Sequence, residues 1–285
     1  MQYINASSLQ QALDALVQAD GKAVVMAGGT DLMVDYKAGK LDPEVWVDVT
    51  RVPELNGIAV ENGRLVIGAA TTLTSIARSP LVREYFPSLC QGCGTVGSLQ
   101  IRNSATLVGN VVSAQPAGDG AMSLAPLDPV FTVLSPDGER EMCMAEMYAG
   151  FGRSAIDHSR ELVTRISIPL PQAGEAASFI RLELRKSLSL PMLNCAAMLR
   201  LEEGKVAWSR ITMAPVGVGP VRAAAAEAYL AGKELTDEVM AQAGQLALEN
   251  ANPRSNPLRG SREYRLETLP VLVRRALEAC RVQLM

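Results

Sequence analysis

The sequence contains a single histidine, His158, among its 285 residues. Zinc sites built on paired histidines are therefore excluded. A serine–histidine–aspartate triad would have to use His158, and no Gly-x-Ser-x-Gly segment accompanies it. The chain therefore either performs no acid–base chemistry through imidazole or leaves its reaction to a cofactor, and we assign no catalytic side chain.

Cysteine is also scarce. Of the five cysteines, only Cys90 and Cys93 are close together, and Cys143, Cys195 and Cys280 are isolated. An iron–sulfur cluster usually takes four thiolates, so we expect no metal site and predict that the close pair packs in a core, as free cysteines often do. An odd number of cysteines favours a reducing compartment, and the cytoplasm is the predicted location.

The chain lacks an excess of positive charge and any long apolar run. Its formal net charge of -3 argues against a nucleic-acid partner, because phosphates require a basic surface. No stretch approaches the roughly 20 apolar residues of a membrane span, and residues 1–11 lack the basic start and apolar run of a signal peptide. With 48% hydrophobic and 20% charged residues, the composition is typical of a globular protein with two or three subdomains.

Residue patterns predict mixed helices and strands, with strands and then helices in the C-terminal third. The first part has predicted helices at residues 7–19, 30–38 (capped by Thr30), 71–78 and 81–91, and strands at 22–26, 44–49, 64–68, 130–134 and 162–168, the last two joined by a turn at 135–138. Residues 99–116 are predicted to form strand and turn segments. A linker near 170–177 precedes predicted strands at 179–184, 195–201 and 206–213 and helices at 220–230, 236–250 and 266–284.

Residues 92–97 match the Gly-x-Gly-x-x-Gly fingerprint of dinucleotide-binding folds. A true fingerprint follows a strand and opens a helix. This one follows a helical pattern and shows no helical period afterwards, so we reject it.

A second glycine-rich segment is more informative. The apolar run at residues 24–27 ends at Gly28-Gly29, and a helix follows Thr30 and Asp31. Backbone amides at such a helix start form an anion site suited to phosphate, and a Cβ would keep a diphosphate away from them. Gly-Gly also serves ordinary tight turns, so this segment alone leaves both interpretations open.

Residues 100–119 supply hydroxyls, amides and glycines along an otherwise apolar stretch that ends at Asp119. Such a lining suits a flat cofactor with polar edges. A polar loop crossing between subdomains has the same composition, so composition alone does not separate these alternatives.

Together the two segments resemble the FAD-binding motifs of molybdenum hydroxylase flavoproteins, the medium subunits of the xanthine dehydrogenase and carbon monoxide dehydrogenase family. The family typically has AGGTD, then QIRN, TIGGN and SP-x-x-D; here AGGTD begins at Ala27, QIRN at Gln100, TLVGN at Thr106, and QPAGD ends at Asp119. Further similarity at residues 47–55, 67–73, 161–169, 220–223 and 263–265 extends the resemblance over essentially the whole chain.

The resemblance implies that FAD is the cofactor. The residues that it places at the diphosphate, ribityl chain, a cofactor hydroxyl and the flavin pocket are Ala27, Gly28, Gly29, Thr30, Asp31, Thr106, Gly109, Asn110, Asp119, Val163 and Arg181. Lysine is usual in relatives where Arg181 stands. The chain also departs from the family at Val108, which replaces a glycine, at Ser189, which replaces an aspartate, and at Gln115, which replaces a serine.

The fold implied is α+β: an FAD-binding domain of the p-cresol methylhydroxylase type over residues 1–172, with subdomains of about 1–55 and 56–172, and a C-terminal α+β domain over 173–285 with a three-stranded antiparallel sheet and helices. The implied function is electron transfer from the iron–sulfur clusters of a small 2Fe-2S subunit, through FAD, to NAD or another acceptor, beside a molybdopterin-binding large subunit. The alternatives are a self-sufficient FAD oxidoreductase of the same fold and a flavin-free assembly subunit.

Overall fold

The computed structural model of the protein describes residues 1–285. The N-terminal part begins with three parallel strands in the order β1-β3-β2. Its elements are β1 (Gln2–Asn5), α1 (Leu9–Ala19), β2 (Ala23–Met26), α2 (Leu32–Lys37) and β3 (Val45–Asp48). Helix α1 begins where Ser8 accepts a hydrogen bond from the Gln11 amide, and it buries Ala12, Ala15 and Leu16, which recur at helical spacing.

A five-stranded antiparallel sheet in the order β4-β5-β10-β6-β7 follows. Its strands are β4 (Ile58–Glu61), β5 (Arg64–Gly68), β6 (Val130–Ser135), β7 (Gly138–Cys143) and, after the hairpin β8 (Tyr148–Gly150) and β9 (Arg153–Ser154), β10 (Leu162–Pro169). Six short helices separate β5 from β6: α3 (Leu73–Arg78), α4 (Pro80–Tyr85), α5 (Pro87–Thr95), α6 (Leu99–Arg102), α7 (Leu107–Val112) and α8 (Asp119–Leu124). One continuous hydrophobic core joins this sheet, its helices and the N-terminal layer.

The C-terminal part is an antiparallel sheet packed against helices around a second core. Its strands are β11 (Glu175–Leu182), β12 (Leu193–Glu202), β13 (Lys205–Ala214) and β14 (Val221–Arg222), and its helices are α9 (Ala224–Leu230), α10 (Asp237–Leu246) and α11 (Arg262–Leu284). The α+β class is confirmed. The three predicted strands are present, and a fourth, β14, adds two residues, which are too few to show an alternating pattern.

Several predicted elements differ in the structure. Residues 99–116 form helices α6 and α7 rather than strands, because helices of four and six residues are too short to display a helical period. Residues 81–91 divide into α4 and α5 at Pro87, since proline disfavours a helical conformation in the residue before it. The turn at residues 135–138 joins β6 to the unpredicted strand β7, and β10 pairs with the other side of β6.

Two helix starts were also mispredicted. Asp31, and not Thr30, is the N-cap of α2, and its side chain makes no capping hydrogen bond. Helix α9 begins at Ala224 rather than at Pro220, because residues 221–222 extend the sheet. The helices predicted to start near residues 71 and 236 are present, and Thr72 and Thr236 cap them as α3 and α10, each accepting a hydrogen bond from the amide three residues ahead.

Candidate functional site

A cavity of about 1100 Å³ lies between the loop after β2, the start of α7, the segment before β10 and loops of the C-terminal part. This volume exceeds that of most small-molecule sites. The cavity therefore has room for a ligand as large as a dinucleotide. Of the predicted site residues, those at 27–31, Thr106, Gly109, Asn110 and Val163 line it.

The loop at residues 27–31 offers unused hydrogen-bond donors. Its backbone amides donate to no carbonyl oxygen of the chain, so they are available to a ligand. The loop follows the carboxyl end of β2 and leads into α2, so these amides lie at the edge of the parallel sheet, where α/β folds bind ligands. A run of free amides facing a cavity is the arrangement that holds a diphosphate.

Gly28 is required by packing rather than by backbone dihedrals. A Cβ at this position would lie 1.9 Å from the Ser104 carbonyl oxygen. The loop after β2 therefore touches the loop before α7, and the two predicted motifs meet in space although they are far apart in sequence. Gly29 adopts a left-handed conformation with φ of 64°, which most other residues avoid.

The start of α7 forms the facing wall. Thr106 caps this helix by accepting a hydrogen bond from the Gly109 amide at 2.9 Å. The Oδ1 atom of Asn110 accepts a hydrogen bond from the Ala121 amide at 2.9 Å, and because that backbone group can only donate, the contact fixes which end of the Asn110 amide is nitrogen. The nitrogen is thereby left for a ligand.

The departures from the family motif are tolerated locally. Val108 lies in α7 and does not have a positive φ, so its Cβ causes no backbone strain. Gln115 is exposed at the cavity wall. Ser189 lies outside the lining, and its hydroxyl donates to the Arg185 carbonyl at 3.0 Å.

Two predicted site residues, Asp119 and Arg181, contact each other and do not line the cavity. Arg181 Nε lies 3.0 Å from Asp119 Oδ2, and the Asn194 side chain donates to Asp119 Oδ1 at 3.0 Å. Burial raises the pKa of Asp119, and the opposing influences of Arg181 and Asn194 only partly offset that effect. Arg181 also contacts Glu183 and the Ser189 carbonyl.

His158 and three arginines at the cavity are ionisable residues that the sequence did not indicate as site residues. His158 lines the wall, and burial lowers its pKa, against the smaller opposite effect of Asp157. Partial burial raises the pKa of Asp31, a predicted site residue, and the neighbouring Asp35 raises it further. Three arginines of the C-terminal part, Arg254, Arg259 and Arg265, complete the lining. No local pattern distinguishes them from other arginines.

The rejected fingerprint and the cysteine pair occur in one helix. Residues 92–95 lie inside α5, so their glycines cannot form a phosphate loop between a strand and a helix. Cys90 and Cys93 are buried in the core of this part, as predicted. No cluster of three or more His, Cys, Asp or Glu side chains has the geometry of a metal site, and none of the helices is long and apolar enough to cross a membrane.

The free amides at residues 27–31 and the dinucleotide-sized cavity define a nucleotide-binding protein with an additional C-terminal α+β part. Residues 1–171 match the family described as FAD binding domain in molybdopterin dehydrogenase, and residues 179–280 match the CO dehydrogenase flavoprotein C-terminal domain. The chain therefore belongs to the FAD-binding subunits of the molybdenum hydroxylase family, as the motifs predicted. Such subunits are parts of oxidoreductases, and FAD is their cofactor.

Individual relatives align with this chain over most of their length. The nicotinate dehydrogenase FAD-subunit of Eubacterium barkeri is 31% identical over 84% of this chain and 82% of its own. The carbon monoxide dehydrogenase medium chain of Hydrogenophaga pseudoflava is 28% identical over 98% and 96%. A solved structure of the carbon monoxide dehydrogenase from that organism superimposes with a TM-score of 0.93 and 29% identity, covering 99% of this chain and 98% of its counterpart.

Proposed function

We propose that this chain receives electrons from the iron–sulfur clusters of a partner subunit and passes them, through FAD, to NAD or another acceptor. The main support for an FAD site is the run of free amides at residues 27–31, which lies across a cavity of about 1100 Å³ from the start of α7. When bound, FAD supplies the redox chemistry, and the protein positions and tunes it.

The chain's own residues have binding and orienting roles in this proposal. Residues 27–31 donate backbone hydrogen bonds to the diphosphate, and Gly28 permits the loop to lie against Ser104. Thr106 and Gly109 shape the opposite wall, and Asn110 donates from its side-chain nitrogen. Val163, 6% exposed on β10, gives the cavity an apolar surface on which a flat ring can lie.

The proposed roles of Asp119 and Arg181 follow from their positions. Each Asp119 oxygen already accepts a hydrogen bond from the protein, so we assign the pair to holding α8 against β11 and β12, behind the cavity wall. Asp119 is two residues before Ala121, whose amide orients Asn110. The pair would thus position the Asn110 side chain rather than contact the cofactor itself.

The partners are inferred from the relatives. Their names describe FAD subunits and medium chains of dehydrogenases, which implies further chains, and we propose a molybdopterin-binding large subunit and a small 2Fe-2S subunit. Four of the five cysteines are buried and Cys143 is exposed, and they supply no four-thiolate set. We further propose that the complex acts in the cytoplasm.

The test is to purify the chain alone and also after coexpression with its neighbouring genes. The isolated chain should show flavin absorbance after incubation with FAD and should reduce a dye with NADH or another donor, without turning over an organic substrate. A colourless protein after reconstitution would support a flavin-free assembly role instead. Turnover of an organic substrate by the chain alone would support a self-sufficient oxidoreductase.

A further inference from the structure

The C-terminal part contributes three arginines to the cavity: Arg254 and Arg259 from the loop between α10 and α11, and Arg265 from the first turns of α11. None of them forms an ion pair with a carboxylate of the chain. By contrast, Glu161, an acidic residue of the lining, pairs with Arg140 outside it. The cavity is therefore lined by three arginines without ion-pair partners, of which Arg259 and Arg265 are direct neighbours.

Arg265 is the most buried of the three arginines, and burying its unpaired charge costs free energy. Its side chain is only 4% exposed, and its guanidinium contacts only carbonyl oxygens, those of Arg259 at 3.2 Å and Pro215 at 3.4 Å. Burial lowers its pKa, and the nearby charge of Arg259 lowers it further. A buried cation with no counter-ion is strongly unfavourable unless a ligand supplies the negative charge.

The loop that carries Arg254 and Arg259 has a defined conformation. Asn256 pairs with Gly260 in an isolated bridge, and the Asn252 amide donates to the Val216 carbonyl at 2.8 Å, which ties the loop to the segment after β13. Arg254 also lies over the Phe151 ring, with its guanidinium carbon 5.1 Å from the ring centre. The guanidinium groups of Arg254 and Arg265 are thus held at the cavity in advance of any ligand.

We propose that Arg254, Arg259 and Arg265 form an anion subsite for a phosphate group, separate from the diphosphate loop at residues 27–31. Guanidinium groups bind phosphate through paired hydrogen bonds. FAD carries one diphosphate, so the phosphate belongs either to that diphosphate, which the arginines and the loop at residues 27–31 would then hold from two sides, or to a phosphate-bearing electron acceptor that enters the same cavity. The second source rests on the proposed function, whereas the anion subsite does not.

The test uses the exposed Arg254 and the half-buried Arg259, because replacing the buried Arg265 endangers folding. R254Q and R259Q are compared with R262Q, an exposed arginine of the same segment that does not line the cavity. The affinity for FAD is measured by quenching of flavin fluorescence. Binding of inorganic pyrophosphate to the FAD-loaded chain is measured by calorimetry at low salt.

Each outcome has a distinct meaning. If R254Q and R259Q weaken FAD binding about tenfold and R262Q does not, the subsite holds a phosphate of FAD. If they instead weaken pyrophosphate binding to the FAD-loaded chain about tenfold, with FAD affinity unchanged, the subsite serves a second ligand. The proposal is overturned if R254Q and R259Q match R262Q in both measurements.

The anion subsite can be tested even if the chain does not bind FAD. If the unaltered chain binds no FAD, pyrophosphate is titrated into the FAD-free chain, where the arginines and the amide loop are both open. R259Q should then weaken binding relative to R262Q, and equal binding by the two variants would again overturn the subsite.

Discussion

Asp119 on α8 and Arg181 on β11 form an ion pair between the two parts of the molecule, with 3.0 Å between Oδ2 and Nε and with both side chains less than a tenth exposed. Asn194 on β12 completes the contact from the same sheet. Family resemblance assigns Asp119 to a cofactor hydroxyl and Arg181 to the flavin pocket. In the structure they connect the helix that orients Asn110 with the C-terminal sheet.

Replacing Asp119 by asparagine should destabilise the protein. Arg181 would lose its main buried counter-charge and retain only Glu183, and breaking such a pair typically costs about 3 kcal/mol. The free energy of unfolding in urea measures this loss. The exposed pair Lys22–Glu44 provides the control, because Lys22→Met should leave the urea midpoint almost unchanged. Equal midpoints for D119N and the unaltered chain would contradict a structural role.

Replacing Gly28 by alanine should impair FAD binding. The added Cβ would lie 1.9 Å from the Ser104 carbonyl oxygen, so the two cofactor loops would have to separate. We expect the affinity for FAD, measured by fluorescence quenching, to fall at least about tenfold, because donors that lose their alignment lose most of their binding energy. Gly94→Ala is the control, since its Cβ would meet nothing closer than 3.9 Å; it should keep full FAD affinity and gain about 0.5 kcal/mol of stability as a helix-interior alanine.

The sequence predicted the parts of this site that have a local signature. Gly28-Gly29 after an apolar strand indicates either an anion loop or a tight turn. Outside the site, the helices predicted to start near residues 71 and 236 begin at Thr72 and Thr236. Helices α6 and α7 escaped prediction because tertiary contacts, rather than a period, stabilise such short segments. Arg254, Arg259 and Arg265 occur in a stretch that also contains the outward-facing Arg262, and only the three-dimensional fold shows which guanidinium groups reach the cavity.

The single histidine gives a pH dependence that can be assigned to one residue. Burial lowers the pKa of His158 in the folded protein, so the unfolded chain binds its proton more readily. The contribution of His158 to stability is therefore present above the unfolded pKa of about 6.5 and is lost as the pH falls through the folded value. Urea unfolding between pH 7 and pH 5 should show a steeper loss of stability in the unaltered chain than in His158→Gln. Parallel curves for the two proteins would contradict the lowered pKa.

Thiol labelling should distinguish the five cysteines. Only Cys143 is exposed, and burial raises the pKa of Cys93, Cys195 and Cys280, that of Cys280 to about 12. Since the thiolate is the reactive form, a native chain treated with an alkylating reagent near pH 8 should take up one label, and the denatured chain five. Cys143→Ser should take up none in its native state. Rapid labelling of Cys90 in that variant would show that α5 is less well packed than the structure indicates.

Thr106 has two separable roles, as the cap of α7 and as part of the cavity wall. Thr106→Ala removes the acceptor for the Gly109 amide, which should cost about 1 kcal/mol of stability. Thr236→Ala removes the equivalent acceptor for the Val239 amide at the start of α10, outside the cavity, and should cost a similar amount. The two variants should therefore unfold at similar urea concentrations, while only Thr106→Ala weakens FAD binding. If both variants bind FAD as the unaltered chain does, Thr106 serves the helix alone, and the cofactor lies closer to residues 27–31 and Asn110.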